Sequence, residues 1–541
     1  MFDTDLFNSI EFWGSVILSL VFIVLAAGAF FVTLRFNLHM LQLNGYDNEE
    51  HGTWFKNNRG KQRQLIFILV CAVMMGIYSA PVTAIISMLF LIINIRIYLF
   101  LKSVFTKKKL VFTTRAKRLV ITSSILFAII VALGEICENY LHHVGGMATA
   151  LLGIFLTPYI LMLANVLNRP VEKMVRQYYI NDAKKILKEN SHIKIIGITG
   201  SYGKTSVKFY LNTLLSAKYN VLVTPESYNT PMGVVKTIRE QMKSSHEIFV
   251  CEMGARKVGE IKEICDIVHP QDGLITSIGP QHLETFFSME NIVKTKFELG
   301  DELPEGGILF LNGDNEYITG NLEKNGSKYP VTVMYGENGK GNGYHTENVK
   351  VSDMGTTFTV VTPDGEKAEF TTRLIGAHNV INVLGAIAVA HTYGIPLADL
   401  KVPVRRLQPA EHRLQLIDHG NVAIIDDTFN SNPIGSKAAV EMLALFDGTR
   451  ILITPGMVEL GEKEEEYNFK YGTYAADCCD YIYLVGVKRT KPIYNGILSK
   501  GFDESRVKAV DTLQDAMKLA NALKTDNKKY ILLENDLPDN Y

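Results

Sequence analysis

Apolar residues are concentrated in the first third of the chain, where five long runs contain a single charged residue, Arg96. An α-helix rises about 1.5 Å per residue, so about 20 mostly apolar residues cross the hydrocarbon core of a membrane. The runs cover residues 13–34, 65–79, 82–101, 119–133 and 147–167. We therefore predict an α-helical transmembrane domain of about five helices over residues 1–170.

Basic residues between these runs predict the orientation of this domain. Lysine and arginine occur in the first loop, in the third loop and after the last run, whereas the segment before the first run, the Ala80-Pro81 turn and residues 134–146 have none. The positive-inside rule then puts the N-terminus outside the cell and everything after residue 168 in the cytoplasm. The orientation is the same if the second and third runs form one re-entrant hairpin. Glu135 and Glu138 lie at the end of a run and are interpreted as solvated loop residues, so a transporter is poorly supported.

The pattern changes after the last apolar run. Residues 171–192 are charged with a helical pattern and are predicted to form a stalk helix. From residue 193 onward, short strand-like runs alternate with helical ones, and a Gly-, Thr- and Val-rich stretch over 307–372 indicates a β-rich portion. After Pro409 a second alternation begins, with strands predicted at 422–425, 450–454, 481–485 and 530–533. We therefore predict two α/β domains, a central one over 193–408 and a Rossmann-like one with a parallel sheet over 409–541.

Composition excludes several classes of partner. A length of 541 residues suggests about three domains, and a net charge of −1 provides no overall field that would recruit nucleic acid. The six cysteines show no C-x-x-C spacing and no paired framework, which predicts reduced thiols in a cytoplasmic compartment.

A glycine-rich stretch at residues 197–206 carries the strongest candidate chemistry. Its sequence, Gly-Ile-Thr-Gly-Ser-Tyr-Gly-Lys-Thr-Ser, follows an apolar strand-like run and precedes a helical pattern. Backbone N–H groups and the helix dipole at such a turn favour a phosphate, Lys204 would reach the β- and γ-phosphates, and the Thr205 hydroxyl would bind Mg²⁺. The ordinary P-loop spacing has a glycine where Ile198 stands, and such a short motif also arises by chance, so its context has to decide.

Two further candidate ligands follow predicted strands, where ligands bind in open α/β sheets. Glu252 ends the strand in Cys-Glu-Met-Gly-Ala at 251–255, and His282 lies in Gly-Pro-Gln-His-Leu-Glu at 279–284. With Thr205 they make a candidate Mg²⁺ shell. Taken singly, such a glutamate is more often an ordinary loop acid and such a histidine a structural one.

Together these motifs resemble the Mur ligase superfamily of ATP-dependent peptide-bond-forming enzymes, over residues 193–457. The resemblance is closest to the branch that adds D-alanyl-D-alanine to the peptidoglycan tripeptide precursor. The family's glycine loop matches residues 199–205, with Tyr202 where the family usually has asparagine, and this variant accounts for the position of Ile198. By resemblance, the phosphate-binding residues are Thr199, Gly200, Ser201, Gly203, Lys204, Thr205 and Ser206.

The same resemblance assigns a lysine that becomes carbamylated in the family. It stands fourteen residues after the histidine in a Lys-x-Glu context, and here it is Lys296 with Glu298. A carbamylated lysine could hold a second Mg²⁺ near the γ-phosphate, but a lysine pKa near 10.4 makes CO₂ capture costly unless the pocket is buried and rich in cations. Without the family spacing, Lys296 would be interpreted as a solvated lysine. The resemblance thus implies a metal set of Thr205, Glu252, His282 and Lys296, with two Mg²⁺ ions.

Further matches concern the nucleotide. His-Asn-Val-Ile-Asn at 378–382 resembles the family motif in which asparagine amides read the adenine edge, which implies Asn379 and Asn382. Arg413 corresponds to an arginine that reaches the γ-phosphate when the last domain closes, and Asp427 lies in a stretch whose acid contacts the ribose. The resemblance implies Lys204, Lys296, His282 and Arg413 as the catalytic residues.

Two departures from the family concern the substrate that accepts the amine. The family's uridine-nucleotide-binding domain has no room between the last apolar run and the glycine loop, and residues 533–541 lack the Lys-Gly-Ser-Arg-Gly type of segment. We therefore expect a membrane-anchored amide ligase of the bacterial plasma membrane with cytoplasmic catalytic domains. Its expected substrates are a peptidoglycan-precursor peptide, nucleotide-linked or lipid-linked, and an amino acid or dipeptide. A ligase for another polymer such as poly-γ-glutamate, and a catalytically silent scaffold of cell-wall synthesis, remain alternatives.

Overall fold

The computed structural model describes residues 4–58, 64–77, 81–104, 109–136, 145–226, 228–329, 331–337, 343–352, 354–429 and 431–536. The chain divides into two compact units, residues 1–177 and residues 178–537. Parts of the predicted membrane loops lie outside the described residues, including Ala80, Cys137, Glu138 and the basic residues of 59–63 and 105–108. Residues 537–541 of the divergent C-terminal segment also lie outside them.

The first unit is helical. Its helices are α1 (Thr4–Leu43), α2 (Asn48–Asn57), α3 (Gln64–Ile77), α4 (Pro81–Val104), α5 (Thr114–Ile136) and α6 (Gly145–Phe155), and α7 (Thr157–Glu189) contains residues of both units. Apolar side chains from α1, α3, α4, α5 and α6 form a common core. A buried hydrogen bond of 3.1 Å from the Thr33 hydroxyl to the Asn94 amide oxygen links α1 to α4, which satisfies two polar groups that burial would otherwise penalise.

The helix lengths support the predicted spans unequally. Within the described residues, two helical segments are long and apolar enough to cross a membrane, Leu20–Leu43 in α1 and Thr114–Ile136. A third candidate is the pair α6 and α7, bent by 76° at its break, while the apolar parts of α3 and α4 are shorter, at Leu65–Met74 and Ala84–Phe100. The expectation of five spans is therefore supported by length for two helices, or three with the bent pair.

In its described part, the second unit contains two sheets, the first with nine strands. These are β1 (Lys194–Thr199), β2 (Val221–Val223), β3 (Ile248–Glu252), β4 (Asp272–Ile275), β5 (Ile308–Asn312), β6 (Val331–Gly336), β7 (Tyr344–Ser352), β8 (Gly355–Val361) and β9 (Lys367–Thr372). The order is β2-β3-β1-β4-β5-β6-β7-β8-β9, parallel up to β7 and antiparallel thereafter. The predicted β-rich portion is therefore continuous with the central sheet, because β6 pairs with β5 in parallel.

Among the described residues, eight helices accompany this sheet. They are α8 (Lys204–Leu215), α9 (Pro231–Gln241), α10 (Glu260–Val268), α11 (Leu283–Phe286), α12 (Met289–Asp301), α13 (Glu316–Asn325), α14 (Ala377–Thr392) and α15 (Leu397–Arg405). The apolar faces of α8 and α14 pack with side chains of β1, β3 and β4 in one core cluster. This packing puts the N-termini of α8 and α14 at the carboxyl ends of the parallel strands.

The second sheet has six strands: β10 (Gln415–Asp418), β11 (Val422–Asp427), β12 (Thr449–Thr454), β13 (Tyr481–Val485), β14 (Val507–Val510) and β15 (Lys529–Glu534). Their order is β10-β11-β15-β12-β13-β14. Helices α16 (Pro433–Leu443), α17 (Glu464–Cys478), α18 (Lys491–Ser499) and α19 (Leu513–Ala522) complete this part. The four predicted strands, β11, β12, β13 and β15, pair in parallel as expected, and β10, which was not predicted, adds an antiparallel edge through its pairing with β11.

Candidate active site

The glycine-rich loop joins β1 to α8 in a conformation that requires its glycines. Gly203 precedes α8 with φ +80° and no side chain caps this helix N-terminus. A Cβ atom on Gly203 would lie 2.5 Å from the Asn382 Oδ1, and one on Gly200 would lie 2.1 Å from the Thr276 Oγ1. Ile198 is a buried strand residue, so the position where an ordinary P-loop has glycine here belongs to β1.

The loop is held against the segment that follows β4. The Ser201 hydroxyl donates to the Gly279 carbonyl oxygen over 2.9 Å, and the Tyr202 hydroxyl donates to the Pro280 carbonyl oxygen over 2.7 Å. Thr199 is fully buried and donates to the Met253 carbonyl oxygen over 2.9 Å. These bonds hold the loop in place before α8. The backbone N–H groups at the N-terminus of α8 are therefore fixed in an arrangement that favours an anion.

Lys204 lies beside this helix terminus. Its Nζ donates to the Gly200 carbonyl oxygen over 2.7 Å and to the Ser201 carbonyl oxygen over 3.3 Å. Burial lowers the pKa of Lys204 to about 8, with Arg413 acting in the same direction and Glu252 opposing it. The ammonium group is therefore mostly charged at neutral pH, and an anion placed beside it would stabilise the charged form further.

Glu252 ends β3 at the centre of the site. Its Oε1 accepts from the Thr205 hydroxyl and from the Asn229 amide, each over 3.0 Å. Its Oε2 lies 3.0 Å from the Lys208 Nζ. Burial raises the pKa of Glu252, but Lys208 and Lys204 more than offset this effect, so the pKa lies below its ordinary value and the group is a carboxylate.

His282 adopts a left-handed conformation, with φ +51°, and contacts the second sheet's domain. Its Nδ1 lies 2.5 Å from the Glu459 Oε2, and the Glu459 Oε1 lies 3.7 Å from the Arg256 Nη2. Burial lowers the pKa of His282, and Glu459 opposes this only in part, so the imidazole is mainly neutral at pH 7.

Lys296 is buried in α12, with 2% of its side chain exposed. Burial and the nearby Lys204 charge together lower its pKa to about 7, against the opposing effects of Glu260 and Glu298. Glu298 itself accepts from the backbone N–H groups of Gly259 and Lys262 over 2.7 and 2.9 Å. The interpretation of Lys296 as a solvated lysine, which would apply without the family spacing, does not hold, because the residue is buried.

The predicted metal ligands are only partly brought together. Thr205, Glu252 and His282 line one cavity of about 510 Å³, whereas Lys296 is not among its lining residues. Within the described part of the chain, no three His, Cys, Asp or Glu side chains converge on a point. The Thr205 hydroxyl and the Glu252 carboxylate, 3.0 Å apart on the cavity wall, nevertheless fit Mg²⁺, which takes few protein oxygens and completes its shell with phosphate and water.

A second cavity of about 310 Å³ lies on the other side of the glycine loop. Among its lining residues are Gly203, Ser206, Asn379, Asn382 and Asp427. The Asn379 amide is engaged within the protein, donating to the Ile375 carbonyl oxygen over 2.9 Å and accepting from the Tyr210 hydroxyl over 3.1 Å. Asn382 is the better placed of the two predicted adenine-reading amides.

Arg413 borders both cavities. Its guanidinium carbon lies 4.4 Å from the centre of the Phe429 ring, an arrangement that orients the cation. Burial lowers the pKa of Arg413, against the opposing effects of Asp427 and Glu252. Burial and the Glu534 charge raise the pKa of Asp427 to about 7, although Arg413 opposes them. Arg413 therefore lies between the two cavities, and Asp427 lines the smaller one.

Sequence reasoning missed three residues of this site: Lys208, Asn229 and Glu534. Lys208 lies among the apolar residues on the buried face of α8. A lysine at such a position in the sequence could have indicated a buried, paired charge. Glu534 is buried at the end of β15, where it accepts from the Thr454 hydroxyl over 2.8 Å and from the Ser431 hydroxyl. Nothing in the sequence around Glu459 reveals its contact with His282.

Comparisons with known proteins agree with this arrangement. Residues 198–390 match the family described as the Mur ligase middle domain, and residues 412–533 match the Mur ligase glutamate ligase domain. The UDP-N-acetylmuramoyl-tripeptide–D-alanyl-D-alanine ligase of Bacillus subtilis is 32% identical over 341 residues, which are 62% of this chain and 71% of that protein. The Escherichia coli protein of the same name is 30% identical over 322 residues, 58% of this chain and 70% of that protein.

A solved structure shows the same relationship in three dimensions. The crystal structure of MurF from Acinetobacter baumannii superposes with a TM-score of 0.61 at 26% identity, covering 68% of this chain and 78% of that one.

Proposed function

Because the chain belongs to the Mur ligase family of ATP-dependent ligases that form carbon–nitrogen bonds, we propose that it is a membrane-anchored amide ligase acting on a peptidoglycan-precursor peptide. The observation that carries the proposal is that two cavities share lining residues at the glycine loop and the second sheet, among them Gly203 and Arg413. The smaller cavity suits a nucleoside, and the larger cavity suits a phosphoryl group and the reacting carboxylate.

The nucleotide would span both cavities. Its adenosine part would lie in the smaller cavity beside Asn382 and Asp427, and its phosphates would bind the N-terminus of α8 with Lys204. This direction puts the γ-phosphate in the larger cavity, whose lining includes the cations Arg413 and Lys204. Preorganised cations and N–H groups stabilise the charge that develops during phosphoryl transfer.

Thr205 and Glu252 would hold Mg²⁺, which supplies positive charge beside the phosphate oxygens. Glu252 suits this role because the lysines around it keep it ionised. His282 lines the same cavity with a mainly neutral imidazole. Lys296, a buried amine whose pKa is about 7, has the free base that reacts with CO₂, in keeping with carbamylation and a second Mg²⁺.

The proposed reaction has two steps. A carboxylate oxygen of the precursor peptide attacks the γ-phosphorus, the bond to the β-phosphate oxygen breaks, and ADP leaves an acyl phosphate. The amino group of the second substrate then attacks the acyl carbon, phosphate leaves, and the nitrogen loses a proton. The protein's own residues position the reactants and stabilise charge, without covalent participation.

We propose D-alanyl-D-alanine, or a related amine, as the second substrate. The support comes from the two relatives named for this dipeptide, of whose length the chain spans 71% and 70%. A cavity of about 510 Å³ that includes Arg256 and Asn432 has room and polar groups for a short peptide beside the γ-phosphate.

Membrane anchoring is proposed from the first unit. Large apolar side chains on four of its helices are more than half exposed, among them Ile23, Phe67, Leu89 and Ile121, as expected where lipid replaces water. The basic loops favour a multi-pass plasma-membrane protein with cytoplasmic catalytic domains. An anchored ligase would meet a lipid-linked precursor at the membrane surface.

A ligation assay tests the proposal. The full-length protein in detergent would receive ATP, Mg²⁺ and nucleotide-linked or lipid-linked tripeptide, with D-alanyl-D-alanine, glutamate or other amino acids in separate reactions. We expect a product whose mass is that of both substrates less one water, with one ADP per bond, and none from Lys204→Ala. Turnover of only the nucleotide-linked form would refute the lipid-linked substrate, and turnover of glutamate alone would favour a poly-γ-glutamate ligase. ADP binding without ligation of any pair would favour a scaffold.

A further inference from the structure

Lys208 is a buried cation whose ammonium group contacts Glu252, one of the two proposed Mg²⁺ ligands. It lies one turn after Lys204 on α8, and its side chain has no exposed surface. Its neighbours on the same helix face are apolar, among them Val207 and Leu211. A charged group is costly to bury unless it is paired and hydrogen-bonded. The contacts of the Lys208 ammonium group therefore indicate its role.

The ammonium group of Lys208 has two partners. Its Nζ lies 3.0 Å from the Glu252 Oε2, and the Glu252 side chain is as fully buried as its own. The same nitrogen donates to the Glu226 carbonyl oxygen. Glu252 lines the larger cavity whereas Lys208 does not, so Lys208 has no direct path to a ligand there.

The two oxygens of Glu252 are consequently divided between two sets of partners. Oε2 faces Lys208, and Oε1 faces Thr205 and Asn229, each at 3.0 Å. Rotation of the carboxylate away from this position would separate the Lys208 ammonium group from the buried charge of Glu252. The ion pair therefore restricts Glu252 to presenting Oε1 to the cavity, beside the Thr205 hydroxyl.

The Glu226 carbonyl extends this contact to a loop that also borders the cavity. Asn229 and Thr230 follow Glu226, line the larger cavity, and lead into α9, which Thr230 caps by accepting from the Gly233 backbone N–H. A single ammonium group thus joins the phosphate-binding helix, the end of β3 and this loop.

We propose that Lys208 is a positioning residue that fixes Glu252 as a one-oxygen ligand for Mg²⁺ in the nucleotide complex. The inference rests on the proposed function for its nucleotide and its cation. Partners that orient a metal ligand typically contribute about 10- to 100-fold to metal affinity. Lys208 should therefore affect the Mg²⁺-dependent part of nucleotide binding and leave the Mg²⁺-independent part unchanged.

The test measures ADP binding to the full-length protein in detergent by calorimetry, with and without Mg²⁺. For Lys208→Met we expect the Mg²⁺-dependent gain in ADP affinity to fall about tenfold or more, with the Mg²⁺-free affinity within about twofold of wild type. Lys208→Arg, which keeps the charge, should restore part of the gain. Lys218→Met is the matched control, since Lys218 is exposed shortly after α8 and donates to the Gly394 carbonyl oxygen.

A second pair of variants covers the case in which Lys208→Met does not fold. Glu252→Gln keeps a side-chain oxygen that can accept from Lys208, and the double variant Lys208→Met/Glu252→Gln leaves neither group charged. Both should lack the Mg²⁺-dependent gain to the same extent. A further loss in the double variant would mean that Lys208 acts on the nucleotide itself and would overturn the proposal. The proposal would also be overturned if the Lys208→Met variant folds and its Mg²⁺-dependent gain in ADP affinity equals that of wild type. Failure of wild-type protein to bind ADP at all would instead refute the proposed function.

Discussion

Replacing Gly203 by alanine tests whether the loop geometry itself determines nucleotide binding. Gly203 has φ +80° and ψ −15°, and a Cβ atom there would lie 2.5 Å from the Asn382 Oδ1. The left-handed conformation costs a non-glycine residue about 1–2 kcal/mol. In addition, Asn382 would have to move by about 0.5 Å or more to restore an allowed contact of 3.0 Å.

The structure contains a matched control for the strain alone. Gly259 precedes α10 with φ +93° and ψ −9°, nearly the conformation of Gly203, and a Cβ atom there would have nothing within 4 Å. Both alanine variants should therefore lose about 1–2 kcal/mol of unfolding free energy. Only Gly203→Ala should also lose ADP affinity, by about tenfold, because one hydrogen bond from Asn382 and the approach of the phosphates are disturbed together.

The measurements are chemical denaturation followed by a spectroscopic probe of the second unit, and titration with a fluorescent ADP analogue. Equal loss of ADP affinity in Gly203→Ala and Gly259→Ala would show that the contact with Asn382 is unimportant. Wild-type ADP affinity in Gly203→Ala would refute the assignment of this loop as the phosphate site.

Three further predictions concern charged groups. Burial lowers the pKa of Lys296 from 10.5 to about 7. Between these pH values the unfolded chain binds more protons than the folded chain, so the free energy of unfolding of the wild type should rise with pH. Denaturation experiments on Lys296→Met should show this rise reduced by on the order of 4 kcal/mol. The pKa of Asp427 is raised from 3.8 to about 7, so the folded chain binds more protons than the unfolded chain between these values, and stability falls as pH rises from about 4 to 7. Asp427→Asn should flatten this fall by about 4 kcal/mol; an unchanged profile would contradict this. Arg413→Ala should lower kcat by about 100-fold or more, while ADP affinity falls much less. Arg406→Ala is the control, because Arg406 is exposed. Equal losses of kcat and ADP affinity in Arg413→Ala would argue against a role at the γ-phosphate.

Local chemistry explains what could be predicted from the sequence. A glycine loop between a strand and a helix is determined by neighbouring residues, so Gly200, Gly203 and Lys204 could be interpreted without knowledge of the rest of the chain. Glu252 also followed, because a residue that ends a parallel strand next to the central one must face the same edge of the sheet as the glycine loop.

Other features depend on contacts between distant segments. The β-rich portion could not be assigned to the central sheet from its composition, because the pairing of β6 with β5 leaves no local mark. The antiparallel edge strand β10 is short and half-exposed, so its apolar pattern is weak. The engagement of Asn379 by Tyr210, 169 residues away, likewise has no signal in its motif.

The sequence alone determined the helical first unit, the two α/β sheets and the chemistry of the phosphate site, since apolar periodicity and glycine positions act over a few residues. Only the tertiary structure decided which charges meet. Lys208 and Glu252 are 44 residues apart in the chain, and His282 meets Glu459 across 177 residues. Burial gives these pairs their effect, because a low-dielectric interior strengthens a contact that water would screen. The position of each charge in the packed interior therefore determines its role in the site.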